Sequence, residues 1–172
     1  MPRLFRLFAG LALAFCALHA MADTTVYLVR HGEKVADGSK DPALSPEGQA
    51  RARNIAAILS RAGIARIYST PYQRTQQTAQ PLAAQLGLPV QSYDPSKQAE
   101  FAREVLKDNR TALIVGHSNT LTALVTHLGG APGADIPETE YERLYQLTVG
   151  GDGKVRTVLL SSLPYTPAPA VK

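Results

Sequence analysis

The sequence predicts an α/β fold: three α/β/α layers around a mostly parallel central sheet, closed by a C-terminal antiparallel hairpin. Three observations predict it. Segments of strand character and helix character alternate along residues 24–128, which implies a parallel sheet with helices on both faces. Two of the strand segments, 26–29 and 111–115, are apolar or β-branched throughout, as strands covered on both sides are. The tail breaks the alternation: residues 144–149 and 155–160 flank Gly150-Gly151-Asp152-Gly153, the layout of an antiparallel hairpin.

The first strand, Val26-Tyr27-Leu28-Val29, runs directly into Arg30-His31-Gly32-Glu33. Ligands of open α/β sheets bind at the carboxyl ends of the strands, where Arg30 and His31 fall. Gly32 permits a sharp turn and the close approach of a ligand. Asp37-Gly38-Ser39-Lys40-Asp41-Pro42 reads as a loop. Ser45-Pro46-Glu47 then starts a helix with a serine cap, a proline in the first turn and a carboxylate near the positive end of the dipole. Ile55, Ile58, Leu59 and Ala62 follow at helical spacing, and Gly63 ends the helix. Residues 65–69 form a second strand, and Thr70-Pro71 begins a second helix whose apolar face is Ala79, Leu82, Ala83 and Leu86, closed by Gly87. A short third strand at 90–93 leads to a helix over 96–107. The fourth strand, 111–115, ends in Gly116-His117-Ser118-Asn119-Thr120, and a helix continues through Leu121, Leu124, Val125 and Leu128 to Gly129-Gly130.

Residues 1–22 have a basic start (Arg3, Arg6), an apolar run from Leu7 to Leu18, and alanines at 20 and 22. That is the layout of a secretory signal peptide cut near Asp23, and it predicts a periplasmic or secreted protein. The apolar run is shorter than the roughly 20 residues a membrane span needs, so no stable membrane insertion is expected after cleavage; a retained anchor is the alternative. Cys16, the single cysteine, leaves with this segment, and Phe15 before it does not fit lipid attachment. Residues 23–163 are then one domain, and the Pro- and Ala-rich residues 164–172 a loose end. Removing Arg3 and Arg6 from the 18 basic residues leaves 16 against 14 acidic, an excess of two. With no Lys/Arg run and no Trp, the chain lacks the clustered cations and stacking aromatics of a nucleic-acid surface. Oligomeric state is not legible.

In a parallel sheet, Arg30-His31, the strand end at Ser69-Thr70, and Gly116-His117 emerge on one edge. Arg74, one turn into the following helix, reaches the same edge. Two arginines and two histidines form an electropositive trap whose guanidinium forks match the oxygens of a phosphate. The helix starts after Thr70 and Ser118 can add backbone N–H donors. Each residue also has a plain structural reading: Arg74 as a solvated helical charge, His117 as a core histidine, Ser118, Asn119 or Thr120 as helix caps, Glu33 and Lys34 as loop charges. Both apolar strands ending in histidine favours the functional reading. A zinc site is disfavoured because Arg30 beside His31 repels a divalent cation. Ser-His-Asp chemistry is disfavoured because no Gly-x-Ser-x-Gly turn is present.

Four segments together resemble one family. Val29-Arg30-His31-Gly32-Glu33 is similar to the Arg-His-Gly signature of the histidine phosphatase superfamily, which includes phosphoglycerate mutases and acid phosphatases. Leu44-Ser45-Pro46-Glu47-Gly48-Gln49-Ala50, residues 68–79 with Arg74, and Val115-Gly116-His117-Ser118-Asn119 resemble its other motifs, in family order. The resemblance implies a phosphoglycerate mutase-like fold and a phosphatase without metal or cofactor. It implies that His31 is the phosphorylated nucleophile, with Arg30, Arg74 and His117 holding the phosphoryl oxygens; Ser118 is expected as a further phosphate-binding residue from its place at the helix start. The family's acid is less legible. Ser118 occupies the place one branch reserves for it, and Asp94, in Tyr93-Asp94-Pro95, is the nearest match to the other branch's, with Glu100 and Glu140 as rivals; a turn cap is the plain reading of Asp94.

The expected activity is hydrolysis of a phosphomonoester or phosphohistidine through phospho-His31, on a small phosphorylated substrate or a phosphoprotein. The alternatives are a non-catalytic phosphate- or phosphoprotein-binding module on the same fold, and a phosphomutase.

Overall fold

The computed structural model describes residues 23–162. The signal-peptide reading of 1–22 and the reading of 164–172 as a loose end lie outside the described residues.

The central sheet is built from β1 (Thr24–Arg30), β2 (Arg66–Ser69), β3 (Val90–Ser92), β4 (Ala112–Gly116), β5 (Arg143–Val149) and β6 (Val155–Ser161), in the spatial order β3-β2-β4-β1-β5-β6. The first four of these strands are mutually parallel where they pair, and β5 and β6 add an antiparallel hairpin beside β1. Register sets the site. Arg30 stands opposite Gly116, and Ser69 opposite Val115, so the chain leaves β1, β2 and β4 at one edge.

Among the described residues, four helices cover the sheet: α1 (Pro46–Leu59), α2 (Gln73–Leu86), α3 (Gln98–Asp108) and α4 (Ser118–His127). Alternation along the strands sorts the core into two layers. Val26 and Leu28 of β1 and Ile114 of β4 pack with Phe101, Ala102 and Val105 of α3 and Leu121, Leu124 and Val125 of α4. Val29 of β1 and Leu113 and Val115 of β4 pack with Ile55 and Leu59 of α1 and Ala79 and Leu82 of α2. Both faces of β1 and β4 are thus consumed by hydrophobic burial, which leaves only their ends for polar chemistry. Among the described residues, no helix is long and apolar enough to cross a membrane.

Some boundaries differ from the sequence expectation, for visible reasons. The second helix begins at Gln73, not at Thr70-Pro71, because Tyr72 is extended and the Thr70 hydroxyl is engaged elsewhere. Its first N–H is capped instead by Asp41 Oδ1 at 2.9 Å, a carboxylate from a distant loop. The helix expected to reach Ala62 stops at Leu59, and Gly63 takes a left-handed turn at φ 71°. α1 starts as predicted, with the Gly48 N–H donating to Ser45 Oγ at 3.2 Å.

Candidate active site

Arg30 is the last residue of β1 and is 1% exposed. Its Nη1 donates to the carbonyls of Pro137, Glu138 and Glu140 at 2.8, 3.0 and 2.8 Å, and its Nη2 to Glu138 Oε2 at 2.7 Å. Nε is buried and has no partner among the described residues. The guanidinium lies 4.1 Å from the centroid of the Tyr141 ring, a cation–π contact that holds it flat.

The turn after His31 is possible because two backbones touch. A Cβ on Gly32 would lie 2.7 Å from Gly48 O, and one on Gly48 would overlap Glu33 O. Neither glycine has a positive φ, so it is lack of a side chain, not backbone freedom, that is needed at both. Arg51 of α1, 4% exposed, closes the same corner: Nη2 reaches Glu33 Oε1 at 2.5 Å, and Nη1 donates to Ser162 O at 2.8 Å. Burial raises the Glu33 pKa, and the hydrogen bonds and charge of Arg51 outweigh it, leaving the carboxyl below its usual range.

His31 Nδ1 is 2.7 Å from Gly32 O. A carbonyl only accepts, so Nδ1 carries the proton and donates it, and Nε2 is left with a free lone pair. His117 follows β4, and its ring centroid lies 5.3 Å from that of His31, at 67° between planes. Arg74 Nη2 faces His117 Nδ1 at 3.5 Å, so Nδ1 is the acceptor, and Nε2 donates to Thr70 Oγ1 at 2.8 Å. Thr70 passes the bond to Thr75 Oγ1 at 2.9 Å, and Thr75 donates to the carbonyls of Thr70 and Tyr72. This chain of donors fixes the His117 tautomer.

Arg74 enters from the first turn of α2, over the Tyr72 ring at 4.5 Å, and Tyr72 in turn stands edge-on to His117 at 5.3 Å. Its Nη1 is 3.5 Å from Asp41 Oδ1, beyond a good hydrogen bond, and both Nε and Nη1 are buried with no hydrogen-bond partner among the described residues. Orphaned guanidinium donors at a buried site cost free energy unless an acceptor arrives. With Arg30 Nε they make three unpaired N–H groups around two imidazoles, a constellation suited to an oxyanion.

Burial, together with the charges of Arg30 and Arg74, lowers His31 to about 3 and His117 to about 4. For His31 the Gly32 carbonyl and the His117 ring also contribute, with opposite signs. Both imidazoles are therefore neutral at physiological pH, the form in which nitrogen is nucleophilic.

Of the residues singled out in the sequence, Arg30, His31, Arg74 and His117 meet here. Ser118, the first residue of α4, is beside them, but its hydroxyl donates to Glu138 Oε1 at 2.5 Å. Asp94 has a different set of contacts. Its Oδ1 accepts from the Ser96 N–H at 2.8 Å and Ser96 Oγ at 2.7 Å, and these bonds hold its pKa low. Glu140 pairs with Arg143 at 2.6 Å. Sequence reasoning missed Tyr72, Tyr141 and Glu138, which surround the two arginines; no local pattern marks them. Among the described residues, no group of three or more His, Cys, Asp or Glu is placed to hold a metal ion.

Residues 26–95, which include Arg30, His31 and Arg74, match the model of the histidine phosphatase superfamily (branch 1). Solved structures of similar fold align over most of the chain. The protein histidine phosphatase SixA, complexed with tungstate, is 21% identical with a TM-score of 0.64, covering 81% of this chain and 97% of its own. Mycobacterial glucosyl-3-phosphoglycerate phosphatase is 16% identical with a TM-score of 0.63, covering 81% and 98%. Phosphoserine phosphatase from Entamoeba histolytica, in complex with 3-phosphoglyceric acid, is 19% identical with a TM-score of 0.56, covering 80% and 95%. At these identities the likeness is one of fold. No curated protein matches the chain in sequence.

Proposed function

We propose that this chain is an exported phosphatase, periplasmic or secreted, that hydrolyses phosphomonoesters or phosphohistidine through a covalent phospho-His31 and without a metal ion. One observation carries the reading: the lone pair of His31 Nε2 is free beside Arg30 and Arg74, which hold unpaired buried donors.

The chemistry follows from those groups. A phosphoryl group seats its oxygens on the two guanidiniums, which neutralise its charge as bonds rearrange, with the neutral His117 ring beside them. His31 Nε2 attacks phosphorus, the ester P–O bond breaks, and the leaving oxygen takes the electron pair. Nδ1 keeps its proton on Gly32 O throughout, so the imidazole stays aligned. Water then attacks the phosphohistidine, the P–N bond breaks, and phosphate leaves. Positive side chains supply what magnesium supplies in other phosphoryl-transfer sites, and the neighbouring guanidinium disfavours a divalent cation at His31.

The structural relatives' names include a protein histidine phosphatase and phosphatases of small phosphorylated metabolites. The exposed Tyr72 and Glu138, which flank Arg74 and Arg30, support a small phosphorylated molecule or a phosphoprotein side chain as substrate. The export half of the proposal rests on the layout of residues 1–22. The test is turnover: purified protein in excess chelator hydrolyses an aryl phosphate, and His31→Ala abolishes it. Activity that vanishes with chelator overturns the metal-free mechanism.

A further inference from the structure

A phosphatase working through His31 has a demand that Arg30, Arg74, His31 and His117 leave unmet. An alkoxide is a poor leaving group, and it must be protonated as its bond to phosphorus breaks. The guanidiniums do not release their protons, and both imidazoles are neutral, with their remaining N–H groups committed to Gly32 O and Thr70 Oγ1. A carboxyl group is the natural donor.

The carboxylates near the pocket are mostly spoken for. Asp41 caps α2, Glu33 is locked to Arg51 and Glu140 to Arg143, while Asp94, the candidate from the sequence, is tied to Ser96. Glu138 differs in that its carboxylate bonds only to groups of the pocket itself, Arg30 and Ser118. The loop between α4 and β5 carries it, and that loop is held firmly from below. Ile136 is buried in the core, Tyr145 donates to Pro132 O at 2.7 Å, Arg143 donates to Ala134 O at 2.6 Å, and Arg30 Nη1 binds three of its carbonyls. The backbone is fixed while the carboxylate, 75% exposed, keeps contact with solvent.

Guanidinium geometry says where a substrate must sit. Nε and Nη2 lie on one side of the group and together take two oxygens of one oxyanion. On Arg30, Nε is unpartnered, Nη2 holds Glu138 Oε2, and Nη1 is consumed by the loop carbonyls. A phosphoryl group that seats on Arg30 therefore seats against Glu138.

We propose that Glu138 is the proton donor to the leaving oxygen, and then the acceptor of a proton from the attacking water, with Ser118 holding it in place. The assignment rests on the phospho-His31 reading. Before substrate binds, the Ser118 hydroxyl and Arg30 keep Glu138 ionised. A phosphoryl dianion takes over Arg30 and sets negative charge beside the carboxylate, and both effects raise its proton affinity. The groups facing it are Arg30 at the end of β1, Lys34 in the following loop, and His117 and Ser118 at the start of α4. The exposed carboxylate loads a proton from solvent. As His31 Nε2 bonds to phosphorus, the ester P–O bond breaks and its electron pair takes the Glu138 proton, releasing an alcohol. In the second half, water's oxygen bonds to phosphorus, its proton passes to the Glu138 carboxylate, and the P–N electron pair returns to Nε2.

The test compares leaving groups. Glu138→Gln keeps the Ser118 and Arg30 contacts in shape but has no proton to give. On an alkyl phosphate its kcat falls by about 100-fold or more, while on a nitrophenyl phosphate, whose leaving group needs no proton, it falls by less than about fivefold. The basic limb of the alkyl-phosphate pH profile disappears in Glu138→Gln and returns in Glu138→Asp. Equal losses on both substrates, or an unchanged alkyl-phosphate rate, overturn the assignment and leave Glu138 as a support for Arg30. A wild-type protein that turns over neither substrate overturns the phosphatase reading itself, and the assignment with it.

Discussion

Gly32 and Gly48 meet backbone to backbone, the first in the turn after His31 and the second in the opening turn of α1. This contact sets how tightly the β1 turn folds over the site, since any Cβ at Gly48 pushes on Glu33 O. Gly48→Ala is predicted to destabilise the protein by about 1–3 kcal/mol through overpacking, read as a lower urea midpoint. A midpoint equal to wild type would mean the contact is not tight.

Arg74 holds two buried donors without partners, so an oxyanion should stabilise the fold by binding. Inorganic phosphate or tungstate at about 100 times its Kd adds about 2.7 kcal/mol of stability, which for a domain of this size is a rise in Tm of several degrees. Arg74→Ala should lose most of that rise. A full rise in the variant would place the anion elsewhere.

The two histidines make stability depend on pH. Their folded values, about 3 and about 4, lie below the ordinary value of 6.5, so the unfolded chain binds protons first as pH falls. Their contribution is fully present above pH 6.5 and is lost as pH drops from there, through about 4 for His117 and about 3 for His31. Where both titrate in the unfolded chain only, the slope approaches about 2.7 kcal/mol per pH unit. Urea midpoints between pH 7 and pH 5 measure it, and the His31→Asn, His117→Asn double variant should flatten the curve. A wild-type midpoint constant over that range would contradict the buried neutral state of the pair.

Asp94 is exposed and its carboxylate caps a turn. Asp94→Asn preserves an acceptor for the Ser96 N–H and is expected to keep turnover of an alkyl phosphate within about threefold of wild type, under roughly 0.7 kcal/mol of barrier. A larger loss would return the acid's role to Asp94.

These outcomes also mark what the sequence could and could not say. The apolar runs of β1 and β4 reveal strands buried on both faces, and parallel pairing then forces Arg30-His31 and Gly116-His117 to one edge. That inference needs only hydrophobic patterning and the rule for open sheets. The start of α2 does not show in the sequence because its cap is Asp41, supplied across space, while Thr70, which reads locally as the helix start, spends its hydroxyl on His117. Glu138 was invisible for a similar reason. It is one charge in an exposed loop, and its position is dictated by Arg30 binding the loop's carbonyls, a contact between residues far apart in the chain. Local pattern reports burial and turns; it does not report which distant donor a loop will fold around.

The central claim is that His31 Nε2 forms a bond to phosphorus. Brief exposure of the protein to an aryl phosphate, quenching under alkaline conditions that preserve phosphohistidine, and mass spectrometry of the peptide containing residue 31 tests it directly. The account predicts a mass increase of one phosphoryl group on His31, formed and discharged within the turnover time and not formed in Arg74→Ala. Steady turnover with no phosphorylated His31 at any quench time would contradict it.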